Sequence, residues 1–139
     1  LTVPMAKVLQ TLGIQRGMVV CGSADGKPMD ELSTLGENSI AEFYQDRGFA
    51  TSTLSPADFQ LSDATLEDLA GGDAETNAGL IRSILNGEDK GPKREAVLLN
   101  TGAALFVANA ADSISAGMDL AAAVIDDGRA ADKLAALAN

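Results

Sequence analysis

The sequence predicts an α/β fold in which a sheet is flanked by helices. Three observations lead to this prediction. A continuous apolar run from Met18 to Cys21, bounded by glycines, is typical of a strand buried on both faces. Residues 39–54 have the pattern of a β-hairpin, and the chain from residue 65 onward carries the apolar spacing and capping residues of successive helices. Strands and helices in this order pack as layers around a core.

The first elements are a helix and the apolar strand. Residues 1–13, LTVPMAKVLQTLG, predict a helix that tolerates Pro4 in its first turn and ends at Gly13. The chain opens on Leu1 rather than Met, within this helix, so we expect residues upstream to have been removed. After the strand we expect a loop, SADGKPM, and then a short run of strand-forming residues from Leu32 to Leu35.

The predicted hairpin pairs Ser39–Gln45 with Phe49–Leu54. β-branched and aromatic residues lie on each side of the sequence DRG, and Gly48 can adopt the positive φ that a tight turn requires. A helix over residues 40–46, IAEFYQD, is the competing interpretation.

The second half predicts helices at each step. Thr65 and Asp68 have the spacing of a capping box for a short helix that ends at Gly71–Gly72. Asp73 then caps a helix that runs to Gly87.

The next predicted helix has Pro92 in its first turn and is apolar on nearly every side. Such a helix is buried between neighbours, so we expect it to be the central helix. Two further helices are predicted at Ser115–Asp126 and Gly128–Leu137. Small residues in the central helix allow its neighbours to approach closely: Thr101, Gly102, Ala103 and Ala104.

Composition limits the possible partners. In 139 residues, 46% hydrophobic residues are enough for a core, and ten basic against twenty acidic residues leave a net charge of −10. This charge repels a phosphate backbone, so we expect no nucleic-acid partner. A single cysteine, Cys21, indicates a reducing compartment, and we expect a cytoplasmic protein with no membrane role, since the longest apolar runs are too short to span a bilayer.

The strongest candidate site is the acidic pair Asp30–Glu31. The chain has no histidine, so a site must use carboxylates, hydroxyls, amides or backbone groups, and such oxygen ligands suit Mg²⁺, Ca²⁺ or Mn²⁺. Consecutive side chains of a strand point to opposite faces, so the two acids can share a ligand only where the backbone turns. From the residues alone, the pair is either a solvated turn or a metal-binding corner.

Other polar and small residues have simpler interpretations. We interpret Gly22 and Gly26 as turn residues and Cys21 as structural rather than nucleophilic. Asn100 interrupts an apolar helix, where it either ties the helix to a loop or lines a ligand pocket. Three cations near a helix start are predicted to be solvated: Lys90, Lys93 and Arg94.

Four segments together resemble the C-terminal half of the anthranilate phosphoribosyltransferase family of tryptophan biosynthesis. They are MVVCGSADGKPMDELSTLGENSIAEFYQDRGFATSTLSPADF, GGDAETNAGLIRSILNG, LLNTGAALFVA and DDGRAADKLAAL. The resemblance implies that residues 1–139 are a single α/β unit, the C-terminal part of a nucleoside phosphorylase/phosphoribosyltransferase-type catalytic domain with a mixed sheet flanked by helices.

The resemblance also implies a reaction. Family members transfer a phosphoribosyl group from phosphoribosyl pyrophosphate to anthranilate, which gives phosphoribosyl anthranilate and diphosphate. By this resemblance, Asp30 and Glu31 bind Mg²⁺ for the phosphoribosyl pyrophosphate substrate. Two features depart from the family: the position of Cys21 is commonly a histidine, and the SADGKPM loop is longer than usual.

The resemblance places the remaining parts of the enzyme upstream of this chain. They are the N-terminal helical domain, the glycine-rich diphosphate-binding loop and the residues that select anthranilate. We therefore expect the isolated chain to be inactive, to have the missing N-terminal half as its partner, and not necessarily to form the family's homodimer. The alternative is a non-catalytic protein-binding domain that shares the fold. A pyrimidine nucleoside phosphorylase or a nucleic-acid-binding relative is a further possibility.

Overall fold

A computed structural model describes residues 1–137, and residues 138–139, which complete the predicted 1–139 unit, lie outside the described residues. Within the described residues, one helix precedes four consecutive strands, a 3₁₀ turn at Pro56–Asp58 follows the last strand, and five further helices come after it. In chain order the elements are α1 (Thr2–Thr11), β1 (Arg16–Ala24), β2 (Lys27–Met29), β3 (Asn38–Tyr44), β4 (Gly48–Leu54), α2 (Leu66–Leu69), α3 (Ala74–Leu85), α4 (Pro92–Val107), α5 (Ile114–Asp126) and α6 (Arg129–Leu137).

The four strands form one sheet in the order β2-β1-β3-β4. Residues 16–21 of β1 pair with residues 39–44 of β3, which in turn pairs with β4 along its whole length. The α/β fold with a sheet flanked by helices is confirmed. However, the expected mixed sheet is antiparallel at each of the three pairings in the described chain. Short hairpin connections join β1 to β2 and β3 to β4, whereas a parallel pair requires a crossover of a dozen residues or more.

The predicted hairpin is confirmed as β3 and β4, and the competing helix over residues 40–46 is wrong. The SADGKPM segment is not a loop. Asp25 and Gly26, with φ of 49° and 72°, form a two-residue turn that pairs the end of β1 with β2. Residues 32–35 are not a strand either, because side chains rather than a neighbouring strand bond their backbone.

Helices cover both faces of the sheet. On one face, Ile40 packs with Leu99 of α4 in a cluster that includes Met18 and Val20. On the other face, Ala41 and Phe43 pack with α1, and Val19 joins them. The side chains of β1 therefore alternate between two apolar clusters, as predicted for a strand covered on both sides.

The central position predicted for α4 is confirmed by its contact with the sheet on one side and with α5 on the other. Gly102 and Gly117 bring α4 and α5 into backbone contact, because a Cβ on Gly117 would lie about 2.4 Å from the Gly102 carbonyl oxygen. The predicted caps are also present: Thr65 and Asp68 form a capping box, and Asp73 accepts from the Thr76 N–H. No helix within residues 1–137 is long and apolar enough to cross a membrane.

Candidate functional site

The acidic pair lies immediately after β2, where the chain bends at both Asp30 and Glu31. Both residues are exposed. Within residues 1–137, neither carboxylate forms a hydrogen bond or an ion pair, and no group of three or more acidic or cysteine side chains is arranged so that it could hold a metal ion. The pair therefore offers carboxylate oxygens without partners from residues 1–137 at a backbone turn, the arrangement in which two consecutive acids can act together.

Gly22 of β1 fixes the backbone of the acidic pair. Its N–H donates to the carbonyl oxygen of Glu31 over 3.0 Å. A Cβ at this position would lie 2.5 Å from that oxygen and 2.7 Å from the Ser33 nitrogen, so only glycine allows the approach. Gly22 is thus a strand residue in close backbone contact rather than the turn residue predicted, whereas Gly26 does occupy a turn.

Asn100 of α4 holds the residue that follows the pair. Its Oδ1 accepts from the Leu32 N–H and its Nδ2 donates to the Leu32 carbonyl oxygen, both over 2.9 Å. Nδ2 also donates to the Ala96 carbonyl oxygen. The predicted tie between helix and loop is confirmed. Asn100 also lines a cavity of about 500 Å³ beside Val20, and its role in a ligand pocket stays a prediction.

Asn38 is a second anchor, which the sequence analysis did not identify. It is 0% exposed, its Oδ1 accepts from the Ser33 N–H over 2.6 Å, and its Nδ2 donates to the Ser33 carbonyl oxygen. Nδ2 also donates to the carbonyl oxygens of Gly36 and Leu54. A buried amide must be bonded in this way. The only signal in the sequence was an asparagine at the start of a strand, which does not reveal burial.

The two carboxylates line different cavities. Asp30 lines a cavity of about 750 Å³ between β1 and the start of α1. Glu31 lines a cavity of about 570 Å³ whose apolar wall comes from α2, α3 and α4, with Lys93 on its border. A ligand that contacts both carboxylates must therefore lie at the bend between the two cavities.

The cations of the α4 start are not all solvated as predicted. Arg94 is 6% exposed and donates two hydrogen bonds to Asp126 of α5, which Lys90 also contacts over 2.7 Å. The pKa of the Asp126 carboxyl is lowered below its ordinary value. The hydrogen bond from Lys90 contributes most to this shift, and the hydrogen bonds from Arg94 contribute next. Lys93 donates to the Asp68 carbonyl oxygen. Burial of Arg94 follows from the close packing of α4 on α5, which brings a carboxylate within reach.

Comparison with protein families shows to which family the chain belongs. A model of the glycosyl transferase family, a/b domain, matches residues 1–131. The chain belongs to this family. Among curated members, the anthranilate phosphoribosyltransferase of Alkaliphilus metalliredigens is 47% identical over 134 residues, which are 96% of this chain and 38% of that protein. The anthranilate phosphoribosyltransferase of Lacticaseibacillus paracasei is 48% identical over 131 residues, 94% of this chain and 37% of that protein.

A solved glycosyl transferase family member has the same fold. The crystal structure of anthranilate phosphoribosyltransferase from Thermus thermophilus superimposes with a TM-score of 0.77 and 42% identity, covering 91% of this chain and 36% of that one. The resemblance identified from sequence segments is thereby confirmed. The chain spans less than two fifths of the length of these relatives.

Proposed function

We propose that this chain is the C-terminal part of an anthranilate phosphoribosyltransferase and supplies its Mg²⁺-binding acidic pair, Asp30 and Glu31. The proposed reaction transfers the phosphoribosyl group of phosphoribosyl pyrophosphate to the amine of anthranilate and releases diphosphate. The similarity to transferases of that name along almost the whole chain carries this proposal. The remaining part of the enzyme is its partner, and the reducing environment expected from a single cysteine fits a cytoplasmic location.

The residues of the site suit a hard divalent cation. Two carboxylates without competing bonds from residues 1–137 are available at one bend, and oxygen donors are the ligands that Mg²⁺ takes, usually with several waters. Two protein ligands leave room for such waters and for substrate oxygens. Bound Mg²⁺ would offset the charge of the departing diphosphate.

The surrounding residues position these carboxylates. Gly22 donates to the carbonyl oxygen of Glu31 and Asn100 bonds the next residue, Leu32, so the backbone that carries the acidic pair is held by the sheet and by α4. A ligand set that is already fixed loses little entropy when the cation binds. Residues that recognise anthranilate belong, in this proposal, to the part of the enzyme outside this chain.

Metal binding by the isolated chain is the direct test. We expect electron paramagnetic resonance of Mn²⁺, used as a probe for Mg²⁺, to show binding that Asp30→Asn with Glu31→Gln weakens at least tenfold. The matched control is Asp25→Asn with Glu37→Gln, which removes the same charge from two exposed residues beside the pair. Equal loss of affinity in both double variants would show that the net charge of the chain, and not metal ligation by Asp30 and Glu31, determines Mn²⁺ binding.

The reaction requires the rest of the enzyme. We would replace the matching segment of the Thermus thermophilus enzyme with this chain and follow the loss of anthranilate fluorescence. The graft is expected to catalyse the transfer, and the double substitution at Asp30 and Glu31 to reduce kcat/KM at least a hundredfold, about 2.7 kcal/mol. Full activity of the doubly substituted graft would exclude the proposed role of the pair.

A further inference from the structure

The outer edge of the sheet at β4 has no neighbouring strand among the described residues. β4 lies at the end of the strand order β2-β1-β3-β4 and pairs there with β3 alone. The Gln45 N–H donates to the Gln15 carbonyl oxygen, so odd-numbered residues of β3 bond with β1 and even-numbered residues bond with β4. The register pairs even-numbered residues of β3 with even-numbered residues of β4. The backbone N–H and C=O groups of Phe49, Thr51 and Thr53 therefore point to the free side.

The β4 edge lacks the features that keep most edge strands from pairing with other chains. Natural edge strands are very short, carry charged residues or proline, or lie under a helix or loop. β4 is seven residues long, with the sequence GFATSTL, and contains neither a charged residue nor a proline. Residues 50–53 are exposed, so the described chain leaves this part of the strand uncovered. The edge is therefore able to accept a further strand.

The surroundings of β4 suit a second copy of the same strand. Each copy carries a net charge of −10, and an uncharged strand is a place where two copies approach with little repulsion. Arg47 precedes β4 with its side chain 76% exposed, and its contact with Asp46, over 3.9 Å in solvent, contributes little. Asp58 lies in the 3₁₀ turn that follows β4. When two β4 strands run antiparallel about Thr51, Arg47 of each copy lies opposite Ser55 of the other, at the start of the turn that carries Asp58.

We propose that the free edge of β4 pairs with the same edge of a second copy of this chain, antiparallel and centred on Thr51. In this arrangement Thr51 faces Thr51 of the second copy across a two-fold axis, and Phe49 faces Thr53. The sheets of the two copies then form one continuous sheet. The paired surface is small, so the dimer forms at high protein concentration. This inference goes beyond the proposed function and does not depend on the acidic pair.

Hydrogen exchange followed by NMR tests the edge. In the full chain, the Phe49, Thr51 and Thr53 amides are expected to exchange at least tenfold more slowly in concentrated than in dilute solution. The Ala50 and Ser52 amides already bond to β3 and are the internal control, with no comparable change expected. Equal exchange of the three outward amides at both concentrations would overturn the proposal.

Charges at Thr51 test the self-pairing. Thr51→Lys and Thr51→Glu each place a charge opposite the same charge across the two-fold axis, so each variant alone is expected to lose the concentration-dependent protection. An equimolar mixture of the two variants is expected to regain it, because opposite charges then face each other. Recovery in the mixture also shows that both variants are folded. Protection that persists in each variant alone, or that mixing does not restore, would overturn the proposal.

Thr53, another exposed threonine on the same face of β4, provides the matched control. It faces Phe49 of the second copy and not itself, so a mixture of Thr53→Lys and Thr53→Glu is expected to be no better protected than either variant alone. Recovery in this mixture equal to that at Thr51 would contradict the proposed register. Asp30→Asn with Glu31→Gln, which removes the proposed metal ligands, is expected to leave the protection of the β4 edge intact. Failure of this inference and failure of the proposed function are thereby distinguishable.

Discussion

The side-chain amide of Asn100 bonds both the N–H and the C=O of Leu32, 68 residues away in the chain. The amide acts here as one residue of a neighbouring strand would, and it connects the central helix to the residue that follows the acidic pair. The position of Glu31 therefore depends on α4 as well as on the sheet.

Asn100→Leu is expected to lower the free energy of unfolding by about 2–4 kcal/mol, because it leaves the Leu32 N–H and C=O without partners in a partly buried place. Urea unfolding measures this change, and Mn²⁺ affinity is expected to fall as well because the loop is released. The control is Asn86→Leu, an exposed asparagine, with an expected change within about 0.5 kcal/mol. Similar losses for the two variants would contradict the anchoring role.

Gly22→Ala tests the close approach of β1 to the backbone of Glu31. Since its Cβ would lie 2.5 Å from the Glu31 carbonyl oxygen, the segment must move, and we expect a loss of stability of about 1–3 kcal/mol with weaker Mn²⁺ binding. Gly79→Ala is the matched control, because no atom lies within 4 Å of the added Cβ in α3 and alanine favours the helix by about 0.5–1 kcal/mol. A Gly22→Ala variant as stable as the original chain would show that the segment moves freely.

Gly117→Ala tests the crossing of α4 and α5. The added Cβ would meet the Gly102 backbone, which cannot rotate away as a flexible side chain can, so the helices must separate. We expect a loss of about 2 kcal/mol or more in thermal or urea unfolding. If this variant unfolds at the same denaturant concentration as the original chain, the two helices do not require backbone contact.

Asp126→Asn tests the ion pair between this carboxylate and the buried Arg94. The pKa of Asp126 is lowered from its ordinary value of 3.8, so the unfolded chain binds more protons and this part of the stability is lost as pH falls through the lowered pKa. The variant is expected to melt at a lower temperature near neutral pH, and the difference from the original chain is expected to shrink below about pH 4. Melting temperatures at several pH values measure this convergence.

Asp127→Asn is the control for the ion-pair prediction. The pKa of Asp127 is also lowered, mainly by its hydrogen bond with Arg129. That arginine is exposed, so removing the charge of Asp127 leaves no buried cation without a partner. Its substitution is expected to change the melting temperature less than Asp126→Asn does. Equal effects would mean that the burial of Arg94 adds nothing.

Local features of the sequence predicted most elements correctly. The caps at Thr65 and Asp73 act within three residues, and the hairpin turn at Gly48 joins neighbouring strands, so short windows of sequence contained the necessary information. The short strand β2 was missed because a three-residue strand carries little apolar pattern. Pro28 in it also disfavours a strand unless an edge is available, and β2 is an edge strand.

The sequence by itself determined the α/β class, the adjacency of Asp30 and Glu31, and the family, because each depends on residue order and local pattern. Only the tertiary structure decided how that pair is held. Gly22 reaches it across a hairpin, and Asn100 reaches the next residue from a distant helix. Burial of Arg94 and of Asn38 was likewise a result of packing. Long-range contacts depend on which surfaces meet after folding, and no short stretch of sequence specifies that meeting.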